Sequence, residues 1–419
     1  MNIVNINDTS NKLFYVGGVV RDELLGRKSF DVDITYVGNA IEYCSQFGEV
    51  IQENPDFGTV RVKLSPSSAL QAPSSTNGEK DEVIVDFAST RSESYPQKGY
   101  LPVVDKIGCS LKEDVMRRDF TINALAKSIT TGEIIDYVGG LEDLKNKKLK
   151  ILHDESFIDD PTRIIRGLKF AIRFGFELDE HTKQLQDKYL ANINYDMSYK
   201  RVKKELIETF SLLNLARSGK DGAGQHALEK FINEGIYKLV TPDKVNMPKV
   251  NVEDLVNKYL LPLSLQQTSD FPKEDEMTWL VYVGILGDLS RLPLTRIEQK
   301  IITDVPQHKL NSDFELYKAF ENSRIESVLL YAILRDEIGA KRYLDNLREI
   351  KISITGKDLQ AIGIAPSPKY QKIFDEILKV KLQNPNITKD DELKIVNGLN
   401  ENWHKRLTNI TKLRNNISK

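Results

Sequence analysis

Apolar and polar positions along this chain change period once. Up to residue 150, short apolar runs alternate with glycine-containing breaks. Lys12 to Val16 predicts a strand that Gly17-Gly18 ends, and Val19 to Leu25 predicts a helix closed by Gly26. From Asp31 to Tyr36 apolar and polar residues alternate, the period of a half-buried strand. Phe57 to Leu64 and Val83 to Ala88 predict two further strands. Between them, Ser65 to Lys80 is rich in Ser and Pro and has little apolar surface to bury. A disordered insertion at 65–82, inside a hairpin loop, is expected there.

From Asp159 onward the spacing is helical. Helices are predicted over Pro161–Phe174, Thr182–Leu190, Tyr199–Leu213, His226–Ile232, Glu276–Leu289, Asp313–Ala332 and Lys341–Ile350. Ser367-Pro368 forms an N-cap and N1 pair that opens a last helix ending at Leu382. Ser218 to Gly224 reads as a linker. Its Gly222-x-Gly224 follows a helix, whereas a dinucleotide-binding loop follows a strand. The pattern predicts the α+β class: a head built on a small mixed sheet with helices, then an elongated all-helical remainder without internal repeats.

Composition narrows the field. A chain of 419 residues is too long for one core and implies two to four domains. Hydrophobic residues make up 40 % and charged residues 29 %, as in ordinary globular proteins. Met1 to Lys12 is polar, so no signal peptide is expected, and the apolar run Trp279 to Leu286 is far short of a membrane span. Two cysteines, Cys44 and Cys109, exclude a disulfide framework and a cysteine-rich zinc site and point to a reducing, cytoplasmic setting. The net charge of −2 hides an asymmetry. Residues 1–150 carry −4 and residues 341–419 carry +7, as expected of a protein that holds RNA at one end.

Four constellations carry chemistry. The first is Gly17-Gly18-Val-Val-Arg21-Asp22 followed by Asp31-Val-Asp33. Strand residues two apart share a face, so Asp31 and Asp33 present their carboxylates together, an oxygen set that suits Mg²⁺. The Gly-Gly turn lets backbone N–H groups approach an anion, and Arg21 can pair with phosphate. Second, Val83 to Ala88 could bring Asp86 alongside, as a third ligand or as an exposed strand position. Third, Ser110 and Glu113 make a capping box ahead of Arg117-Arg118-Asp119. That triplet could fix phosphates and a ribose hydroxyl, or form an ion-paired helix end. Fourth, Asp160 and Arg163 stand three apart at a helix start, with Arg166 and Lys169 continuing a basic stripe. Asp160 is also an ordinary N-cap candidate. A carboxylate beside a guanidinium matches the amino-plus-acceptor edge shared by cytosine and adenine and mismatches uracil and guanine.

In this order the four elements closely resemble the class II tRNA nucleotidyltransferases, the CCA-adding enzymes and their poly(A) polymerase relatives. The resemblance runs from Phe14 to Thr182. It implies that Asp31 and Asp33 bind catalytic Mg²⁺ and that Gly18, Arg21 and Arg118 contact the incoming triphosphate. It further implies that Asp160 and Arg163, supported by Arg166, select CTP and then ATP, and that Lys169 binds the nucleotide with a weakened phosphate contact. The tRNA acceptor arm would be the partner. The implied division is a head at 1–150, a neck at 151–217, a body at 225–310 and a basic tRNA-binding tail at 311–419. Asp159 replaces the family's usual glutamate, and Lys169 its usual arginine. His153-Asp154 spells the dipeptide of an HD phosphohydrolase, but no histidine precedes it. Phe57-Gly-Thr-Val-Arg-Val lacks the Gly-Arg-Arg-Phe-like strand of the poly(A) polymerase branch, which favours tRNA. Arg91 to Pro102 looks like the intact loop that CC-adding relatives lack. Lys351 to Gly363 resembles tails of enzymes that divide the labour. The expected activity is CCA addition from CTP and ATP with release of pyrophosphate. The alternatives are A-only or CC-only addition, poly(A) synthesis, and an RNA-binding protein that has kept the fold without the catalysis.

Overall fold

The computed structural model describes residues 6, 8–27, 29, 32–65, 84–262 and 277–399. Asp31 and, apart from Ser65 itself, the expected insertion at 65–82 lie outside them. The chain forms two compact units, residues 1–247 with 286–293, and residues 248–285 with 294–419. The expected head and neck both fall within the first unit, and the expected body at 225–310 is shared between the two.

The first unit starts as a sheet. Its strands are β1 (Leu13–Val16), β2 (Asp33–Tyr36), β3 (Gly48–Asn54), β4 (Thr59–Leu64), β5 (Ile84–Ser89), β8 (Ala126–Ser128) and β9 (Ile134–Ile135), in the order β3-β4-β5-β2-β1-β8-β9. The β2–β5 pair is parallel and its neighbours are antiparallel, so the sheet is mixed as expected. All four residues of β1 are buried, as befits an inner strand. Along β4 and β5 burial alternates: Val60, Val62, Val85 and Phe87 face the core, while Arg61 and Asp86 face outward. Burying each such side chain contributes about 1.5–3 kcal/mol.

Helix α1 (Gly18–Leu24) follows the Gly17 turn, and α2 (Ala40–Cys44) follows β2. Of the described strands the sequence pattern predicts only β1, β2, β4 and β5, and two corrections stand out. The first, β3, pairs with β4 although nearly all its side chains are exposed. The second correction concerns Arg91 to Pro102, expected as a loop. Arg91–Ser94 is strand β6, antiparallel to β7 (Val103–Ile107), so only the segment between them is a turn. Helix α3 (Leu111–Met116) carries the predicted capping box of Ser110 and Glu113.

After α4 (Gly140–Lys145), the short strand β10 (Lys148–Leu149) and α5 (Ser156–Asp159), helix α6 (Thr162–Phe174) runs to Gly175, whose φ of +71° ends it. Strand β11 (Glu177–Leu178) pairs with β10, and α7 (Glu180–Ala191) follows. The predicted helix Tyr199–Leu213 is two helices, α8 (Tyr199–Phe210) and α9 (Leu212–Arg217). Ser211 separates them in an extended conformation, with its hydroxyl capping the Asn214 N–H. Helix α10 (Ala223–Asn233) starts at Gly222 and packs with α8 on α6.

The second unit is helical. Asp313–Ala332 is likewise divided, into Asp313–Phe320 and Ile325–Leu334, because the polar stretch Glu321 to Arg324 turns the chain. Trp279, Tyr282, Phe320 and Tyr331 are fully buried there. Ile354, Leu359, Ile373, Ile377 and Val396 form a C-terminal cluster around the predicted last helix, Lys369–Gln383. Buried Glu392 organises it, accepting from Lys381 and from the N–H groups of Ser353 (2.8 Å) and Ile354 (2.9 Å). Among the described residues no helix is long and apolar enough to cross a membrane.

Candidate active site

The sheet's alternation builds the site. Asp33 pairs in register with Asp86 across the parallel β2–β5 pair, and Asp86 with Arg61 across β5–β4. Register partners point to the same face, so the three side chains form a row. The row lines one cleft, which Arg91, Arg117 and Arg118 also line. Arg61 holds Asp86 by two bonds of 2.7 and 2.9 Å, and both side chains are about half exposed. Asp86 thus lies alongside Asp33, as expected, and is ion-paired. Removing so exposed a pair costs less than about 1 kcal/mol of stability.

Arginines are brought to the cleft by α3. Asp114, fully buried on that helix, accepts from Arg117 (3.0 and 2.9 Å), from Arg118 (3.3 Å) and from the Arg91 N–H (3.1 Å). Burial alone would raise the Asp114 carboxyl, but Arg118 and Arg117 hold it below the usual carboxylate range. Glu93 on β6 accepts from Arg91 (2.7 Å) and Arg117 (3.0 Å), tying the hairpin to α3, and Arg91 also donates to the Phe57 carbonyl (2.8 Å). The Arg118 guanidinium lies over the Gly17 turn. A Cβ at Gly17 would stand 2.7 Å from its Nη1, and φ is +71°, so the turn requires glycine on both counts. The Arg118 Nε is buried without a hydrogen-bond partner among the described residues, a donor left over beside the cleft.

Arg21 sits deeper. It is 3 % exposed, bonds Asp22 (2.9 and 2.7 Å) and Asn123 Oδ1 (2.5 Å), and lies over the rings of Phe170 and Phe174. Asp22 also accepts from Arg173 (2.9 Å). Arg21 therefore ties α1 to α6, with its Nη2 only 3.5 Å from where a Cβ on Gly18 would stand.

The expected basic stripe on α6 is neutralised from α8. Arg166 pairs with Asp119 (2.7 Å) and Glu205 (3.2 Å), and Lys169 with Glu205 (2.7 Å) and Glu208 (2.6 Å). Asp119 also accepts from Asn123 and from the Phe120 N–H, both at 2.8 Å. A continuous polar chain runs from buried Arg21 through buried Asn123 and Asp119 to half-buried Arg166.

Asp160 and Arg163 occupy the start of α6, where the Arg163 N–H donates to the Asp160 carbonyl (3.1 Å), but their side chains turn to different partners. One Asp160 oxygen takes the Thr162 N–H (3.1 Å) and hydroxyl (2.6 Å), the capping role expected as its structural alternative, and the other takes Arg201. Arg163 donates to Ser156 (2.6 Å), the Tyr95 hydroxyl (3.2 Å) and the Arg117 carbonyl (3.1 Å). Arg163 lines a second opening with Tyr95, Arg117, His153 and Asp159. His153 lies 3.9 Å from Asp159; burial and the nearby Arg163 hold its imidazole below the usual range. Asp154 instead pairs with His181 (2.8 Å).

A divalent cation prefers carboxylate oxygens at a solvent-reachable edge. Asp33 fits that preference: it is exposed at the start of β2 and lines the cleft. Among the described residues there is no cluster of three His, Cys, Asp or Glu that could hold a metal.

Residues 13–150 match the family described as the poly A polymerase head domain. The A-adding tRNA nucleotidyltransferase of Geobacter sulfurreducens is 29 % identical over 91 % of this chain and 44 % of its own length. This chain thus spans less than half of that relative. The CCA-adding enzyme of Bacillus pumilus is 27 % identical over 90 % of this chain and 91 % of its own. The solved apo form II of a CCA-adding enzyme superposes with a TM-score of 0.70 at 24 % identity, over 92 % of this chain and 91 % of that one, a likeness of fold.

Proposed function

We propose, on the premise that residues 13–150 belong to the poly A polymerase head-domain family, that this chain adds nucleotides to the 3′ end of tRNA. Its substrates are CTP and ATP, and pyrophosphate leaves. The observation that carries the reading is the row of Asp33, Asp86 and Arg61 in one cleft with Arg118. An acidic edge beside a guanidinium with a donor to spare suits a nucleoside triphosphate.

The family generally uses a divalent metal, and Asp31 with Asp33 would hold Mg²⁺ here. Held by those carboxylates, Mg²⁺ would supply Lewis acidity to the attacking 3′-hydroxyl and positive charge opposite the phosphates. Arg118, held by Asp114, binds the triphosphate where Gly17 leaves room for it. Gly18 allows close approach of the chain at the same turn, and Arg21 fixes that turn on α6. Asp160 and Arg163 select the base, and Arg166 and Lys169 hold α6 in place through Glu205. The basic tail at 311–419 grips the acceptor arm, and the protein works in the cytoplasm.

CCA addition is the leading reading, supported by the Bacillus pumilus relative, and the segment at 91–102 suits A addition under either reading. A-only addition is the second, favoured by the name of the Geobacter sulfurreducens relative. Three tRNAs, ending before C, after C and after CC, offered each nucleotide separately with Mg²⁺, separate them. The first reading predicts C, C and then A in turn. The second predicts extension of the CC-ended tRNA alone, and extension of none of the three defeats both.

Asp86 invites its own test. Because Arg61 occupies both its oxygens, Asp86→Asn should retain transfer within about tenfold and shift stability by under about 1 kcal/mol. A loss as large as that of an Asp33 variant would instead make Asp86 a third ligand.

A further inference from the structure

The turn of the β6–β7 hairpin, Tyr95 to Pro102, is seated on the helical part of the same unit through its backbone. The Gly99 N–H donates to the Asp159 carbonyl (2.9 Å), and the Gly99 carbonyl accepts from the Ser198 N–H (3.0 Å). The Tyr100 hydroxyl donates to Asp196 (2.8 Å). Gly99 has a φ of +81°, and a Cβ there would stand 2.8 Å from the Met197 Cβ, so a larger residue cannot keep the seat.

Arg201, in the first turn of α8, reaches both the seat and the start of α6. Its Nη1 donates to the Tyr100 carbonyl at 3.0 Å, and its Nη2 donates to the Asp160 carboxylate. The Asp160 side chain is 7 % exposed and that of Arg201 23 %. Thr162 fixes one oxygen of Asp160, and Arg201 fixes the other.

A carboxylate discriminates between base edges only when its lone pairs point in a set direction. A short side chain just before a helix does not supply that direction alone. Here it is completed from another helix, by a group that simultaneously bonds the hairpin turn. A planar guanidinium can hold two acceptors at a fixed separation, which a single ammonium nitrogen cannot.

We propose that Arg201 is a positioning residue for nucleotide choice, setting the direction of the Asp160 carboxylate and coupling it to the seat of the Tyr95–Pro102 turn. The proposal rests on the reading of Asp160 as a base-selecting group given above. A shift of the turn removes one of Arg201's two bonds and lets the Asp160 carboxylate turn with it. The bland alternative is that Arg201 only braces α8 against the hairpin.

The test uses the full chain as wild type, Arg201→Gln, Arg201→Lys and Gly99→Ala. Each is offered a tRNA acceptor and the four nucleoside triphosphates singly, with kcat, KM and melting temperature read separately. Arg201→Gln should lower the preference for CTP or ATP over UTP and GTP by about tenfold or more, the scale of one charge-assisted hydrogen bond, with a raised KM for the preferred nucleotide. Arg201→Lys should restore part of that preference. Gly99→Ala, which leaves Arg201 and Asp160 in place, should reproduce part of the loss. Lower melting temperature with unchanged preference in Arg201→Gln overturns the proposal. If that variant does not fold, unchanged preference in both Arg201→Lys and Gly99→Ala overturns it equally. A wild type that incorporates nothing overturns the functional reading and this proposal with it. A wild type and an Arg201→Gln chain that discriminate alike overturn this proposal alone.

Discussion

Asp33→Ala should abolish nucleotide incorporation, by about 10³-fold or more, the scale seen when a group that stabilises transition-state charge is removed. Asp33 sits exposed at the start of β2 and lines the cleft beside its register partner Asp86. Losing an exposed side chain there shifts stability by only about 0.5 kcal/mol. Melting temperature and tRNA binding should therefore stay near the wild type while transfer disappears. Retained transfer would refute the metal-holding role, and a collapse of melting temperature would show that Asp33 is structural.

The second large effect is on stability. Asp119→Ala should destabilise the first unit by about 2–4 kcal/mol, because it removes the buried carboxylate of a half-buried ion pair and leaves Arg166 and Asn123 short of an acceptor. In a unit of this size that corresponds to a fall of about 10 °C in Tm. The same carboxylate shapes the acid limb. Burial alone would raise it, but Arg166 and the Asn123 amide hold it well below its ordinary value of 3.8. A folded-state value below the unfolded one stabilises fully above 3.8 and loses that contribution as the pH falls from there through the folded value. Melting curves between pH 7 and pH 3 should show a shallower acid limb in Asp119→Asn than in the wild type. Parallel acid limbs would place the titration elsewhere.

Local signals were enough to read four of the sheet's inner strands, β1, β2, β4 and β5, but not β8. The alternation along Ile84–Ser89 is imposed by a buried face and shows which side Asp86 occupies, whereas in β2 both Ile34 and Thr35 are buried and only Asp33 at its start is exposed. That these two strands are parallel neighbours is a tertiary fact with no local trace. The hairpin at 91–107 stayed hidden for the opposite reason. It buries almost nothing, with Val103 53 % exposed, so no alternation marks it. The stripe of Arg163, Arg166 and Lys169 was legible as charge. What neutralises its last two members is Asp119 on Arg166 together with Glu205 and Glu208, the last two some 36 to 39 residues further on and brought near only by the packing of α8 on α6. Arg201 was missed because a single arginine near the start of a basic helix carries no signal of its own. Its significance lies in the two acceptors that folding places on either side of it.

Whether this cleft transfers a nucleotide to tRNA is decided by giving the purified chain Mg²⁺, ATP and a tRNA that ends in CC, and measuring both the tRNA's length and the pyrophosphate released. Extension by a single adenosine with one pyrophosphate per tRNA is expected, and neither product when Asp33 is replaced by Ala. A tRNA that is bound but left at its original length, with no pyrophosphate formed, would contradict the proposed transfer.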